Sequence, residues 1–281
     1  MTGALARIVV AYSLLLAAAC GGAAAPGTPE APGPESPRGY PGFDTALYPG
    51  DSAMQAWRAP ASPYRWVGYY LPAPCHRDAS WAGTRARLEA MGWGIGVIYV
   101  GQQAWEGSPE PAADSAGKPT GPIICSRTLL TAERGRTDGA DAIAKASADG
   151  FPRGTVLYLD LERMTTIPAA MRDYYRAWAA TLLADGRYRP GAYVHDVNVA
   201  DVERDLLQVY SDAGVVMSGD GPGVPLWIAQ PDPAFTTLMA PAEGNRKARV
   251  WQGRVNADET WGGVKLRVDA NVADRPSPSA P

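Results

Sequence analysis

Short apolar runs recur along the chain at Tyr40–Asp44, Arg65–Leu71, Gly94–Gly101, Thr155–Glu162, Arg189–His195, Val224–Gln230, Ala248–Gly253 and Val264–Asn271. Each has the length of a strand and is bounded by turn-forming residues. Between several of them the apolar spacing becomes helical. Trp81–Met91 carries Leu88 and Met91 on one side, and Asp138–Asp149 follows Thr137, a natural N-cap, and stops at Gly150. Pro168–Asp185 opens on proline and stops at Gly186, and Val199–Tyr210 follows Asn198, a second cap. Strands alternating with helices predict a parallel sheet, and eight such strands predict its closure into a (β/α)8, TIM-barrel-like single domain of the α/β class. The repeat is uneven: no strong helix falls between Gln230 and Ala248, Val215–Ser218 could add a short strand, and Gln102–Arg136 forms the longest irregular stretch.

The two ends read differently. Residues 1–19 hold one charge, Arg7, and an apolar run from Ile8 to Ala19, too short for a membrane-spanning helix and fitting a signal peptide. Ala17, Ala18 and Ala19 before Cys20 resemble a bacterial lipobox, which implies cleavage there and a lipid on Cys20. The alternative is plain secretion with Cys20 incidental. Residues 20–39 are rich in Gly, Ala and Pro and are expected to tether a domain spanning 40–272 to a membrane. Residues 273–281, rich in Pro and Ser, are expected to be a disordered tail.

Charge and cysteine count narrow the chemistry. The net charge of -3 and the lack of any basic run leave no electrostatic footprint for nucleic acid. The two histidines, His76 and His195, belong to no metal-ligand spacing, so neither a metal nor a cofactor is expected. Cys75 follows the second strand and Cys125 lies in the long stretch after the third. In an oxidising compartment they are expected to form a disulfide clamping two loops; the alternative is two free thiols.

Functional side chains of such a barrel sit where its strands end. Acids stand there: Asp44 on the first strand, Asp160 and Glu162 on the fourth, and Asp269, with Asn271, on the eighth. Strand alternation puts Val156, Tyr158, Asp160 and Glu162 inside the barrel and Leu157, Leu159 and Leu161 under the helices. By the same logic Lys265, Arg267, Asp269 and Asn271 share the inner face. Two readings of Asp44 and Asp269 follow: site acids, or partners that neutralise Arg267 and Lys265. Tyr193 and His195 end the fifth strand pointing inward, His195 as a minor candidate. Trp227 with Gln230, and Trp251 with Gln252, end the sixth and seventh. They could stack on a sugar and bond its hydroxyls, or the tryptophans could simply pack strands against helices.

Taken in order, Gly42-Phe43-Asp44-Thr45, Gly96-Val97-Ile98-Tyr99, Gly154-Thr155 through Tyr158-Leu159-Asp160-Leu161-Glu162, Arg189-Pro190-Gly191-Ala192-Tyr193, Trp227-Ile228-Ala229-Gln230, Trp251-Gln252 and Val268-Asp269-Ala270-Asn271 resemble the DUF1906, or Rv2525c-like, glycoside-hydrolase-like family. The same order is more remotely similar to family 25 lysozymes. The resemblance implies a barrel and a cell-envelope glycan such as peptidoglycan as ligand. It implies Glu162 as general acid, Asp160 as its partner carboxylate, and Asp44 and Asp269 as flanking acids. Tyr99, Tyr193, Gln230, Trp227, Trp251, Gln252 and Asn271 are the candidate ligand-binding positions. The leading expectation is an exported, monomeric, membrane-anchored glycosidase. The alternative is a non-catalytic glycan-binding lipoprotein with the same barrel. Carboxyl separations of roughly 5 Å would indicate a protein nucleophile, and about 6.5–9.5 Å would leave room for water.

Overall fold

The computed structural model describes residues 38–104, 124–215 and 223–281. The signal peptide, Cys20 and the tether up to residue 37 lie outside the described residues, as does 216–218 of the optional strand. Eight strands close into one barrel in sequence order: β1 (Tyr40–Asp44), β2 (Trp66–Leu71), β3 (Gly94–Val100), β4 (Val156–Leu161), β5 (Arg189–His195), β6 (Leu226–Ala229), β7 (Val250–Trp261) and β8 (Val264–Ala273). Between them run α1 (Asp51–Trp57), α2 (Arg85–Ala90), α3 (Ala132–Ala148), α4 (Ala169–Asp185), α5 (Val199–Asp212) and the single turn α6 (Pro241–Gly244). The expected barrel of alternating strands and helices is therefore present.

Its last strand departs from the expected parallel order. Strands β1 to β6 are each parallel to their successors, while β8 is antiparallel to both β7 and β1. The cause is local. Gly262 and Gly263, both at positive φ, turn β7 straight back into β8, as a hairpin requires. Beyond the barrel the two strands continue as a ribbon, broken by register shifts near Arg254 and by Asn256 at φ 53. The ribbon leans on α1, where Trp57 Nε1 donates to Val264 O at 3.0 Å. Lys265 and Arg267 belong to this exposed ribbon rather than to the inner row expected for them.

The helices follow the 3.6-residue period. In α4 the buried positions are Met171, Tyr174, Tyr175, Trp178, Ala179 and Leu182; in α3 they are Gly135, Asp138, Gly139, Ala142, Ile143 and Ala146. The α3 stripe explains why the helix starts earlier than expected. Gly135 and Gly139 read as helix breakers, yet they lie where α3 presses on α4: a Cβ on Gly139 would sit 3.0 Å from Thr181 Cβ, and one on Gly135 would overlap the Tyr174 carbonyl. The cap is Thr131, whose hydroxyl accepts from Arg134 N–H at 3.0 Å. Thr137 lies inside the helix and back-bonds to Glu133 O. Asn198 stands before α5 as expected, but its side chain does not cap that helix. It bonds Met164 instead, accepting from its N–H at 3.0 Å and donating to its C=O at 2.8 Å.

The barrel interior is filled by aromatic rings. Trp227 stacks on Tyr193 with centroids 5.1 Å apart and meets Trp66 and Tyr158 edge-on. Glycines on facing strands make this possible: a Cβ on Gly96 would come within 2.9 Å of Trp227, and one on Gly191 within 2.9 Å of Tyr158. This plug separates the mouth, where β1 to β7 end, from the floor where they begin.

The tail expected to be disordered closes that floor. β8 extends to Ala273, and residues 276–280 then lie between the first residues of β3 and β4, whose own pairing begins only at Val97 and Leu157. Val97 N–H donates to Ser279 Oγ at 2.7 Å, Val156 N–H to Ser279 O at 2.9 Å, and Tyr158 Oη–H to Pro278 O at 3.2 Å. Serine hydroxyls and carbonyls thus satisfy strand groups that would otherwise be buried without partners. Composition alone could not show this, because the tail's partners lie far away in sequence.

Candidate active site

The mouth gathers the acids read from the sequence. Register places Asp44 beside Asp269, Asp160 beside Tyr193, and Gln252 beside Asn271. Asp44 is 3% exposed. Among the described residues no lysine or arginine meets it; three neutral donors do. Tyr70 Oη–H donates to Oδ1 at 2.7 Å, and the side-chain amides of Asn271 and Gln252 donate to Oδ2 at 2.9 and 3.2 Å. Gln252 also donates to Asp269 Oδ2 at 3.1 Å, and the kinked Asn256 N–H donates to Asp269 Oδ1 at 2.6 Å. Asn271 accepts from Trp227 Nε1 at 3.0 Å. Gln252 and Asn271, read as ligand-binding positions, are buried and hold the acids.

This arrangement stores protons. Burial first, then the neighbouring Asp269 charge, pushes the Asp44 carboxyl up to about 7, even though its three donors pull the other way. Burial, then the charges of Glu162 and Asp44, holds the Asp160 carboxyl well above the carboxylate range. Asp269 is raised as well, mainly by burial. The Tyr193 phenol is raised well above 10, by burial first and then by the charges of Asp44, Asp160, Asp269 and Glu162. One hydroxyl therefore feels all four acids. For Asp44, Asp160 and Asp269 alike, burial is the largest cause of the rise.

Glu162 differs from the other acids in exposure. Its side chain is 44% exposed and lies 3.5 Å from His195 Nε2. The reading in which Arg267 and Lys265 neutralise the acids finds no contact to support it. Lys265 pairs with Asp258 on the ribbon, and Arg267 bonds Asn256 and acts on Asp269 only at a distance. Among the described residues, no lysine or arginine forms an ion pair with Asp44, Asp160, Glu162 or Asp269.

Other expected ligand positions lie elsewhere. Tyr99 points out of the barrel, bonding Asp141 Oδ2 of α3 at 2.8 Å, because it falls on the opposite strand parity from Ile98. Trp227 belongs to the buried plug beneath the acids. Trp251 also faces outward, packed edge-on against Phe235 at 5.0 Å, with its Nε1 donating to Gln230 O. Gln230 accepts from Asn245 on that outer side. Of the expected binding residues, Tyr193 alone presents a ring beside the acids. Three residues not singled out from the sequence belong to the site: Tyr70, His76, whose ring lies 4.9 Å from that of Tyr70, and Gln103. Inward parity on β2 could have signalled Tyr70.

The rim is stapled. Cys75 and Cys125 form the expected disulfide. Gln102 clamps the same segment, donating to Ile124 O at 2.8 Å and accepting from Ser126 N–H at 2.9 Å. No helix among the described residues is long and apolar enough to cross a membrane.

An uncharacterised protein of B. stearothermophilus matches in structure with a TM-score of 0.53 and 22% identity, over 84% of this chain and 97% of that one. The modular autolysin LytC of Streptococcus pneumoniae matches with a TM-score of 0.51 and 13% identity, over 84% of this chain but 46% of its own. The Tat-secreted protein Rv2525c of Mycobacterium tuberculosis matches with a TM-score of 0.48 and 17% identity, over 84% and 96%. No curated protein sequence matches. At these identities the first two of these matches speak for the fold. A family model matches residues 55–273, well over half of the sequence, and the chain belongs to the Rv2525c-like, glycoside hydrolase-like domain family.

Proposed function

We propose that the protein is a glycoside hydrolase acting on a cell-envelope glycan such as peptidoglycan. The observation that carries this reading is the gathering of Asp44, Asp160, Glu162 and Asp269 at the strand ends of the barrel mouth, where, among the described residues, no lysine or arginine pairs with them. Acids kept only for stability would need paired charges. Here neutral donors and shared protons take that place. The LytC autolysin has also been solved with a synthetic peptidoglycan ligand, which makes that polymer the first substrate to try.

In the proposed reaction Glu162, whose partly exposed side chain lies 3.5 Å from His195 Nε2, donates a proton to the leaving glycosidic oxygen. Burial raises Asp160 and favours its protonated form in the free protein. An amide N–H from a bound N-acetyl sugar would favour its ionised form and release that proton toward Glu162. The ionised Asp160 then stabilises the oxocarbenium-like state or orients the acetamido group as nucleophile. Asp44 and Asp269 set the charge around the pair. The proposal extends to export as a monomer and anchoring through a lipid on Cys20. Fatty-acid labelling lost in a Cys20→Ser chain would support the anchor; labelling retained in that chain would refute it.

The test is incubation with purified peptidoglycan and a panel of bacterial polysaccharides, with released reducing ends as the readout. The parent should release them and Glu162→Gln should be slower by about 10²–10⁴-fold. Equal rates would remove Glu162 from the mechanism. No release, with one glycan retained in a pull-down, would favour the non-catalytic binding module.

A further inference from the structure

Glu162 lies one residue beyond the end of β4, whose last partner on β3 is Val100, opposite Asp160. Past that point no backbone of β3 continues the ladder. The side chain of Gln103 takes its place. This residue is 2% exposed, and its Nε2 donates to Asp160 O at 2.9 Å while its Oε1 accepts from Glu162 N–H at 3.1 Å. One amide thus bonds the strand on both sides of Leu161, as a neighbouring strand would. Gln102 repeats the pattern around Cys125. On the far side Asn198 bonds both the N–H and the C=O of Met164.

We propose that Gln103 is the positioning residue of the acid pair: its amide continues the β3–β4 ladder in side-chain form and so fixes the directions of Asp160 and Glu162. Strand alternation brings both side chains to one face only while residues 160–162 stay extended. Without the clamp, the end of β4 can rotate into the turn that follows. The role in catalysis rests on the glycosidase reading; the clamp itself does not. Gln103 touches no reacting atom in this scheme and acts through the backbone of the two acids.

The test uses the full chain with ¹³C-labelled carboxyls, following Asp160 by NMR titration and the Glu162 amide by hydrogen exchange. The titratable groups facing Asp160 during this titration are, among the described residues, Asp44, Glu162, Tyr70 and Tyr193, with His195 beside Glu162. In Gln103→Met the Glu162 amide should lose protection, and Asp160 should titrate lower by about one pH unit or more as it gains water. Gln103→Asn, which withdraws the amide by one methylene, should shift both in the same direction and covers failure of the first variant to fold. Gln102→Met loosens the neighbouring clamp and should leave Asp160 where it is. If a glycan is cleaved, Gln103→Met should lower kcat by about 10²-fold with KM little changed. An unmoved Asp160 titration in both Gln103 variants, or an equal movement in Gln102→Met, overturns the proposal. A parent that cleaves no glycan refutes the proposed function, while the titration still decides the role of Gln103.

Discussion

Replacing Asp44 by Asn should make the protein more stable at neutral pH, which is unusual for a buried polar site. Asp44 is held by three neutral donors and lies beside Asp269. An asparagine can satisfy the same network. Its Oδ1 takes the bonds from Asn271 and Gln252, and its new NH2 faces Tyr70, whose hydroxyl turns to accept. The parent carboxyl is raised from 3.8 to about 7 by folding. Above pH 4 the unfolded chain therefore releases a proton that the folded one retains. Stability falls as pH rises from about 4 to about 7 and then levels off. At about 1.4 kcal/mol per pH unit, the full effect is about 4 kcal/mol. Asp269 is linked to the same charge, so the measured difference belongs to the pair. Denaturant titrations of parent and Asp44→Asn from pH 4 to pH 8 provide the assay. The two should agree near pH 4 and diverge toward pH 7, with the variant more stable by up to that amount. A gap independent of pH, or a parent more stable at pH 7, would refute the argument that burial keeps Asp44 protonated.

Three further outcomes test the packing. The Cys75–Cys125 bond closes a separation of 50 residues, so removing both cysteines should lower unfolding stability by about 4 kcal/mol on chain-entropy grounds, measured as a reductant-independent fall in the denaturant midpoint. Gly135→Ala puts a methyl group against the Tyr174 carbonyl and should cost about 1–3 kcal/mol, while Ala144→Gly on the exposed face of α3 should show only the smaller helix-propensity loss. Ending the chain at Asp274 removes the serines that bond Ile95, Val97 and Val156, and should deprotect those amides in hydrogen exchange before any other strand.

Much of the barrel is visible in the order of apolar runs, because β1 to β6 are short, continuous and separated by punctuated helices. The direction of β8 was also present in the sequence, as Gly262-Gly263 between alternating segments, but the ribbon that follows β7 is polar enough to read as a connection. The site divides along the same line. Asp160, Glu162, Tyr193 and Asp44 follow from strand ends and inward parity. Tyr99 and Trp251 sit on the opposite parity, and an aromatic residue beside a motif carries no sign of which face it occupies. Gln102 and Gln103 could not be found by periodicity, since their roles depend on backbone groups 22 to 59 residues away.

The antiparallel return of β8 carries a consequence for how the protein meets its surroundings. Both ends of the described barrel, Arg38 leading into β1 and Pro281 closing the tail, lie on the floor side, opposite the acids. A load pulling on Arg38 acts on that floor, on the far side of the aromatic plug from the acids. A disturbance of the tail is felt first by the opening residues of β3 and β4, which Ser277 and Ser279 bond.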